Sequence, residues 1–431
     1  MITEVKKMRK RIASLIVGGL LAAGSIMGLA ACDNKGDSNK LLLWGPAEQQ
    51  ESLKQMVKEF LDENPDFGLK IELGVAGEGD AKGLMSNDVK SGADVFAYAN
   101  DQLADLYTIG ALARLGNSTV EDLKSTNSED SVEAGKLGSG YYGYPYAADN
   151  GFFMYYDSKV VSEEQTHNLK DVLDACAAKG KYFLYQFGTG WYVGSFMYGA
   201  GGTYSVTYND SGLVEDIVCD FDQKPEGSDY TYGELGGQAL IDMSNHEAFV
   251  DGNDKVISQY LAGNRLGACI SGTWNSGLIK GKLGDGYAAT VLPQWTSSLD
   301  GKTYDWKSFA GYKLYGVNSF SKHILEAHKL AAFLSSEKMQ EKRFDDNQIG
   351  PSNKVVAAMD KVQNNLAIAT ITRQISENSV IQTPMPDSYW SEMESFATAL
   401  KEIKEDAIKN NTVALVSLER VQGLVKGLKA H

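Results

Sequence analysis

Three carboxylates, Glu48, Asp101 and Asp149, and four aromatic side chains, Tyr98, Trp191, Trp274 and Trp390, are the candidates for chemistry in this chain. Each of the four aromatics follows a strand end, a glycine turn or a proline loop, where side chains meet ligands more often than cores. Flat rings of this kind stack on the C–H faces of sugars, while carboxylates and amides around the rim accept hydroxyl protons. Glu48, Asp101, Asp149 and Gln186 supply such acceptors. Taken singly, each aromatic is better explained by core packing; their shared position at loop mouths favours stacking. The same acids admit other chemistries. Asp101 and Asp149 would serve as the paired acids of a glycoside hydrolase, although nothing in the sequence sets their separation. Acids converging on one pocket would also suit a polyamine, for which four stacking aromatics are more than a cage requires.

Several reaction types lack their residues. The single Gly301-Lys302-Thr303 has Thr296 where a phosphate-cradling loop needs glycine. Neither a Gly-x-Ser-x-Gly elbow nor a His-Glu-x-x-His pair occurs. His246, His323 and His328 stand in polar helical contexts and read as solvated side chains. Cys176, Cys219 and Cys269 are too widely spaced for a metal site and are read as packing residues. No metal and no cofactor are expected.

The elements that must hold the candidates alternate between strand and helix. A buried strand over 41–45 leads into a helix over 48–64, and strands over 69–75 and 94–99 precede a helix over 103–109 that Gly110 stops. This implies an α/β fold with mostly parallel sheets, whose ligands sit beyond the carboxyl ends of the strands. Glu48, Tyr98 and Asp101 would lie there. The stretch from Gly140 to Tyr156 alternates aromatic and small residues around Pro145 and Asp149, and reads as an extended hinge, neither a helix nor a fully buried strand. Beyond it come a helix over 169–179, a strand over 182–187 and the glycine-rich run 188–202 that carries Trp191. The extended stretch 306–317 and the Gly350-Pro351 break are candidates for second and third crossings between lobes. Helices are expected over 324–334, 337–344 and 389–403.

With 431 residues, the chain suits two or more domains. Its formal charge of −15 argues against nucleic acid and anionic membranes as partners. The first 31 residues carry five basic side chains and one acid, so the remainder stands at −19. Lys6, Lys7, Arg9, Lys10 and Arg11 precede an apolar run over 12–30, and Leu29-Ala30-Ala31-Cys32 closes it in a form that resembles a bacterial lipobox. A membrane-spanning anchor is the competing reading, since the run is almost long enough. The lipobox implies cleavage after residue 31, a lipid on Cys32 and a flexible tether over 32–40.

Together these residues resemble the extracellular solute-binding proteins of ABC sugar importers, and among them the maltose and maltodextrin binders. The resemblance rests on Leu43-Trp44, the run Asp94 to Asp101, the hinge with Pro145 and Asp149, Gly199-Ala200-Gly201-Gly202, Ser271-Gly272-Thr273-Trp274, Thr290-Val291-Leu292-Pro293, and Pro384-Met385-Pro386 with Trp390. It implies a two-lobed type II periplasmic-binding-protein fold. One lobe would take residues 41–147 and 310–350, the other 148–309 and 351–431. Tyr98 falls at a stacking tryptophan of the family, Asp101 at a sugar-binding aspartate, and Asp149 at a ligand-binding glutamate. Trp191 falls at a stacking tyrosine, Trp274 and Trp390 at stacking tryptophans, and Glu48 at an acidic ligand position. Gln102, Thr189 and Glu394 depart from the family's arginine, glutamate and arginine. The resemblance further implies a non-enzymatic monomer, lipid-anchored outside the cell membrane, which closes on maltooligosaccharides and hands them to an ABC permease. Another oligosaccharide is the alternative within that class.

Overall fold

The computed structural model describes residues 39–430. The expected leader over 1–31, Cys32 and the tether as far as residue 38 lie outside the described residues. Lys40, expected to end the tether, already opens the first strand.

Two sheets organise the described chain. The first contains β1 (Lys40–Gly45), β2 (Lys70–Val75), β3 (Val95–Ala99) and β4 (Tyr144–Asn150). The second contains β5 (Phe153–Asp157), β6 (Tyr182–Tyr185), β7 (Phe249–Asp251), β8 (Leu266–Ser271) and β9 (Tyr287–Thr290). The chain then returns to the first sheet through β10 (Ser308–Val317) and β11 (Ser379–Ile381). The order is β11-β10-β3-β1-β2, with β4 also on β10, in one sheet, and β7-β6-β8-β5-β9 in the other.

Both sheets are mixed, where mostly parallel ones were expected. β1 pairs in parallel with β2 and β3, and β6 with β7 and β8. β10 runs antiparallel to β3 and β4, and β5 antiparallel to β8 and β9. The cause is the crossings: β5 and β10 enter their sheets from the other lobe and so run against the strands built locally.

Strand alternation buries both faces of each sheet. Leu41, Leu43, Val95, Ala97, Tyr315 and Val317 pack into one core under α1 (Gln50–Glu63), while Phe96, Tyr98, Tyr312 and Leu314 face the opposite core under α2 (Ala81–Asn87) and α3 (Leu103–Thr108). In the second sheet Met154, Phe183, Tyr185, Ala268 and Ile270 face one core, and Phe153, Tyr155, Leu184 and Cys269 the other. The first of these takes in the amphipathic face of α4 (Asp387–Asn410), through Met393, Phe396 and Leu400. Cys176, Cys219 and Cys269 are buried and unbonded. Among the described residues no helix is long and apolar enough to cross a membrane.

The expected hinge does cross between the two sheets, but it is buried, where a stretch that is not fully buried was expected. β4 and β5 are separated only by Gly151 and Phe152, and Tyr144, Tyr146, Ala147, Asp149 and Phe152 to Tyr155 are inaccessible. β10 lies alongside, and a Cβ at Gly151 would collide with the Phe309 carbonyl oxygen of that strand. The third segment joins here too, with the Ala148 N–H donating to the Gly350 carbonyl at 2.9 Å.

Candidate ligand-binding site

A cleft of about 880 Å³ opens where the strands of both sheets end. Its walls come from the turns after β1, β2 and β3 on one side, from the turns after β6 and β8 on the other, and from the first turns of α4. Strand ends leave backbone groups and side chains free of the ladder, the usual reason that α/β sheets bind ligands there.

Trp191, Trp274 and Trp390 share this cleft, each half-buried. The rings of Trp191 and Trp274 have centroids 5.9 Å apart at 47°. Phe309 lies behind, its ring centroid 6.3 Å from Trp191 at 21° and 6.4 Å from Trp390 at 70°. Trp274 is locked in place: its indole N–H donates to Asp254 Oδ2 at 3.1 Å, and Asn275 Nδ2 donates to Asp254 Oδ1 at 2.6 Å. Gly272 is the residue this demands, since any Cβ there would sit inside the Trp274 ring.

Glu48 and Asp101 line the opposite wall. Glu48 sits in the turn after β1, and burial raises its carboxyl pKa, with Glu78 nearby adding to the effect. Asp101 sits in the turn after β3, where burial pushes its carboxyl up to about 6. That turn is pinned by buried Asn100, whose Nδ2 donates to the Gln382 carbonyl at 2.5 Å and whose Oδ1 accepts from Tyr312 N–H at 2.9 Å. Gln186, Gln102, Thr189 and Glu394 also line the cleft.

Two expected site residues are elsewhere. Tyr98 is fully buried, because the two-residue period of β3 puts its ring on the Phe96 face; its hydroxyl points to the Tyr142 carbonyl at 3.4 Å. Asp149 is also fully buried, not in the cleft wall. Its Oδ2 accepts from Thr273 Oγ1 at 2.7 Å and from Gly350 N–H at 2.8 Å, and its Oδ1 pairs with Lys313 Nζ at 3.1 Å. A carboxylate so engaged joins the crossings to each other.

Other cleft residues were not anticipated. Glu78 follows β2 in Gly77-Glu78-Gly79-Asp80, a glycine-and-acid loop of the sort that marks a strand's ligand end. It accepts from Tyr146 Oη at 2.5 Å and Gln49 Nε2 at 3.3 Å. Lys82 bridges the walls, paired with Asp387 at the start of α4 and with Asp105 at 3.4 Å. Lys313, the one charge in a strand that is otherwise apolar or aromatic after Ser308, was legible as an anomaly.

Residues 55–370 match the model of a family described as bacterial extracellular solute-binding protein. The chain belongs to that family. This solute-binding protein is 26% identical over 391 residues to the galactooligosaccharide-binding protein of Bacillus subtilis (strain 168), a match covering 85% of this chain and 86% of its relative. Among solved structures, one with acarbose aligns at a TM-score of 0.75 with 28% identity, over 91% of this chain and 98% of the other. The ligand-free maltodextrin-binding protein of L. casei BL23 aligns at 0.72 with 20% identity, over 92% and 100%. The two-lobed type II fold is thus common to this solute-binding protein and its neighbours.

Proposed function

We propose that this solute-binding protein captures an oligosaccharide of the α-glucan type, maltose or a longer maltooligosaccharide, by closing its lobes around the sugar. The observation that carries the reading is the meeting of three half-buried tryptophans in one cleft whose far wall is acidic. Trp191, Trp274 and Trp390 offer faces for sugar rings, and Glu48 and Asp101 accept hydroxyl protons from the opposite lobe. Contacts to both lobes at once favour the closed form, and only that difference in affinity can drive closure. The lobes would comprise residues 41–147 with 310–350 and residues 148–309 with 351–431, apart from β11, which pairs with β10 in the first sheet.

On this reading Cys32 carries the lipid that holds the protein outside the cell, and the closed form docks on an ABC permease. No bond of the sugar is broken. A galactooligosaccharide is the second reading, favoured by the Bacillus subtilis relative. Calorimetry with maltotriose, maltotetraose and a galactooligosaccharide distinguishes the two, and release of reducing ends from maltotetraose would reject both in favour of a hydrolase. Labelled palmitate should be incorporated by the wild type in a bacterial host and not by Cys32→Ala.

A further inference from the structure

We infer that Lys313 is a direct ligand contact, donating from the cleft floor to sugar hydroxyls while its ion pair with Asp149 ties the sugar to the crossings between the lobes. The inference rests on the sugar reading above and names a residue that reading did not contain.

Lys313 belongs to β10 and is 5% exposed, yet it lines the cleft. Its ammonium lies 5.8 Å from the centroid of the Trp274 ring and 3.1 Å from Asp149 Oδ1. An ammonium has three N–H donors, and Asp149 accounts for at most one. Buried donors are ordinarily satisfied, because desolvating one without a partner is costly. Lys313 lines the cleft with its Nζ over the Trp274 ring, so its remaining donors and a sugar at that ring would meet in the same space. Ring hydroxyl oxygens at the edge of a stacked sugar are the acceptors of the right size and position. Burial disfavours the charge, but Asp149, Glu78 and Glu48 outweigh it, so the group stays a cation.

The same ammonium is one bond from the hinge. Asp149 Oδ2 is held by Thr273 of the second lobe and by the Gly350 N–H of the third crossing. A sugar that engages Lys313 therefore attaches to a cluster joining all three segments, whereas the tryptophans belong to the second lobe alone.

The test is calorimetry with maltotetraose and a galactooligosaccharide on the wild type, Lys313→Met and the double variant Lys313→Met/Asp149→Asn, with thermal melting of each. The double variant guards against misfolding, since it leaves no buried charge without its partner and the asparagine oxygen still accepts from Thr273 and Gly350. Both variants should bind roughly ten- to a hundredfold more weakly, the worth of a charged hydrogen bond in a desolvated site. A folded variant with wild-type affinity overturns the inference. On the wild type, the side-chain ammonium resonance of ¹⁵N-labelled Lys313 should move on saturation with sugar; an unmoved resonance overturns it independently of any variant. A wild type that binds no sugar overturns the sugar reading and this inference with it, whereas sugar binding indifferent to Lys313 overturns this inference alone.

Discussion

At the residue scale the cleft divides its work between rings and charges. Trp191 packs against Phe152 and Tyr192 on its inner side and leaves one face toward the cleft. Trp191→Ala should therefore weaken sugar binding roughly ten- to a hundredfold, the range for removing a stacking aromatic from a well-packed pocket, while circular dichroism still reports a folded protein. Tyr98→Phe makes a contrast: a ring wholly inside the core should leave affinity unchanged by calorimetry. Asp101 adds a pH dependence. Burial raises its carboxyl from the ordinary 3.8 to about 6, so the folded protein holds this proton more tightly than the unfolded chain does. The stability this group contributes is thus present below pH 4 and is lost as the pH rises through about 6. Binding runs the other way, because the ionised form is the better acceptor of hydroxyl protons. Affinity should fall roughly tenfold between pH 7 and pH 5 as the competent form is depleted. Asp105, also raised to about 6 by burial and by Asp387, and Lys82 face the same region. Titrating Asp101→Asn separates their share, since the slope that survives in that variant belongs to them.

At the scale of elements, what could be read from the chain follows from how strongly local pattern dictated each piece. Ile324–Leu334 forms over the range its periodicity predicts, and β1 and β3 form within a residue of theirs. Tyr232–Asn245 went unread because Gly233, Gly236 and Gly237 lower its intrinsic helicity, although the capping box of Thr231 and Glu234 stood in the sequence. The stretch from Gly140 to Tyr156 does cross between the sheets, but its burial was not legible, because β10 and the chain near Gly350 cover it from distant parts of the sequence. Tyr98 and Asp149 were misplaced by position alone, since matching a residue to a family position does not say which face of a strand it will occupy. Trp191, Trp274 and Trp390 were legible because each follows a chain break that ends an element at the cleft. Gly272 tests that logic. Gly272→Ala forces the Trp274 ring aside and leaves Asp254 Oδ2 without its indole donor, so sugar affinity should drop roughly tenfold or more, with quenched or shifted tryptophan emission reporting the displaced ring.

At the scale of the whole molecule, the closure proposed above would be biased by contacts that span the cleft. The first lobe offers Lys82 on α2 and the second offers Asp387 at the start of α4, joined in an ion pair. A second tie runs from Tyr107 on α3 to the Ser211 carbonyl, at 2.7 Å, in the loop between Tyr204–Tyr208 and Val214–Cys219. On that proposal both would favour approach of the lobes before any sugar is present. The Lys82–Asp387 pair is a weak lever, because the Asp387 side chain is 66% exposed and solvent screens it; such pairs are worth less than about 1 kcal/mol. Asp387→Ala should accordingly shift the sugar-free ensemble toward the open form and weaken binding by only about two- to fivefold, since a ligand then has to supply the closure energy that the pair contributed. Small-angle scattering would register the shift as a larger radius of gyration without sugar and an unchanged radius at saturation. Raising the salt concentration should mimic the substitution in the wild type and have less effect on the variant. If scattering from the two proteins coincides at low salt without sugar, the ion pair forms without influence on closure, and the loop contact of Tyr107 becomes the element to weaken next.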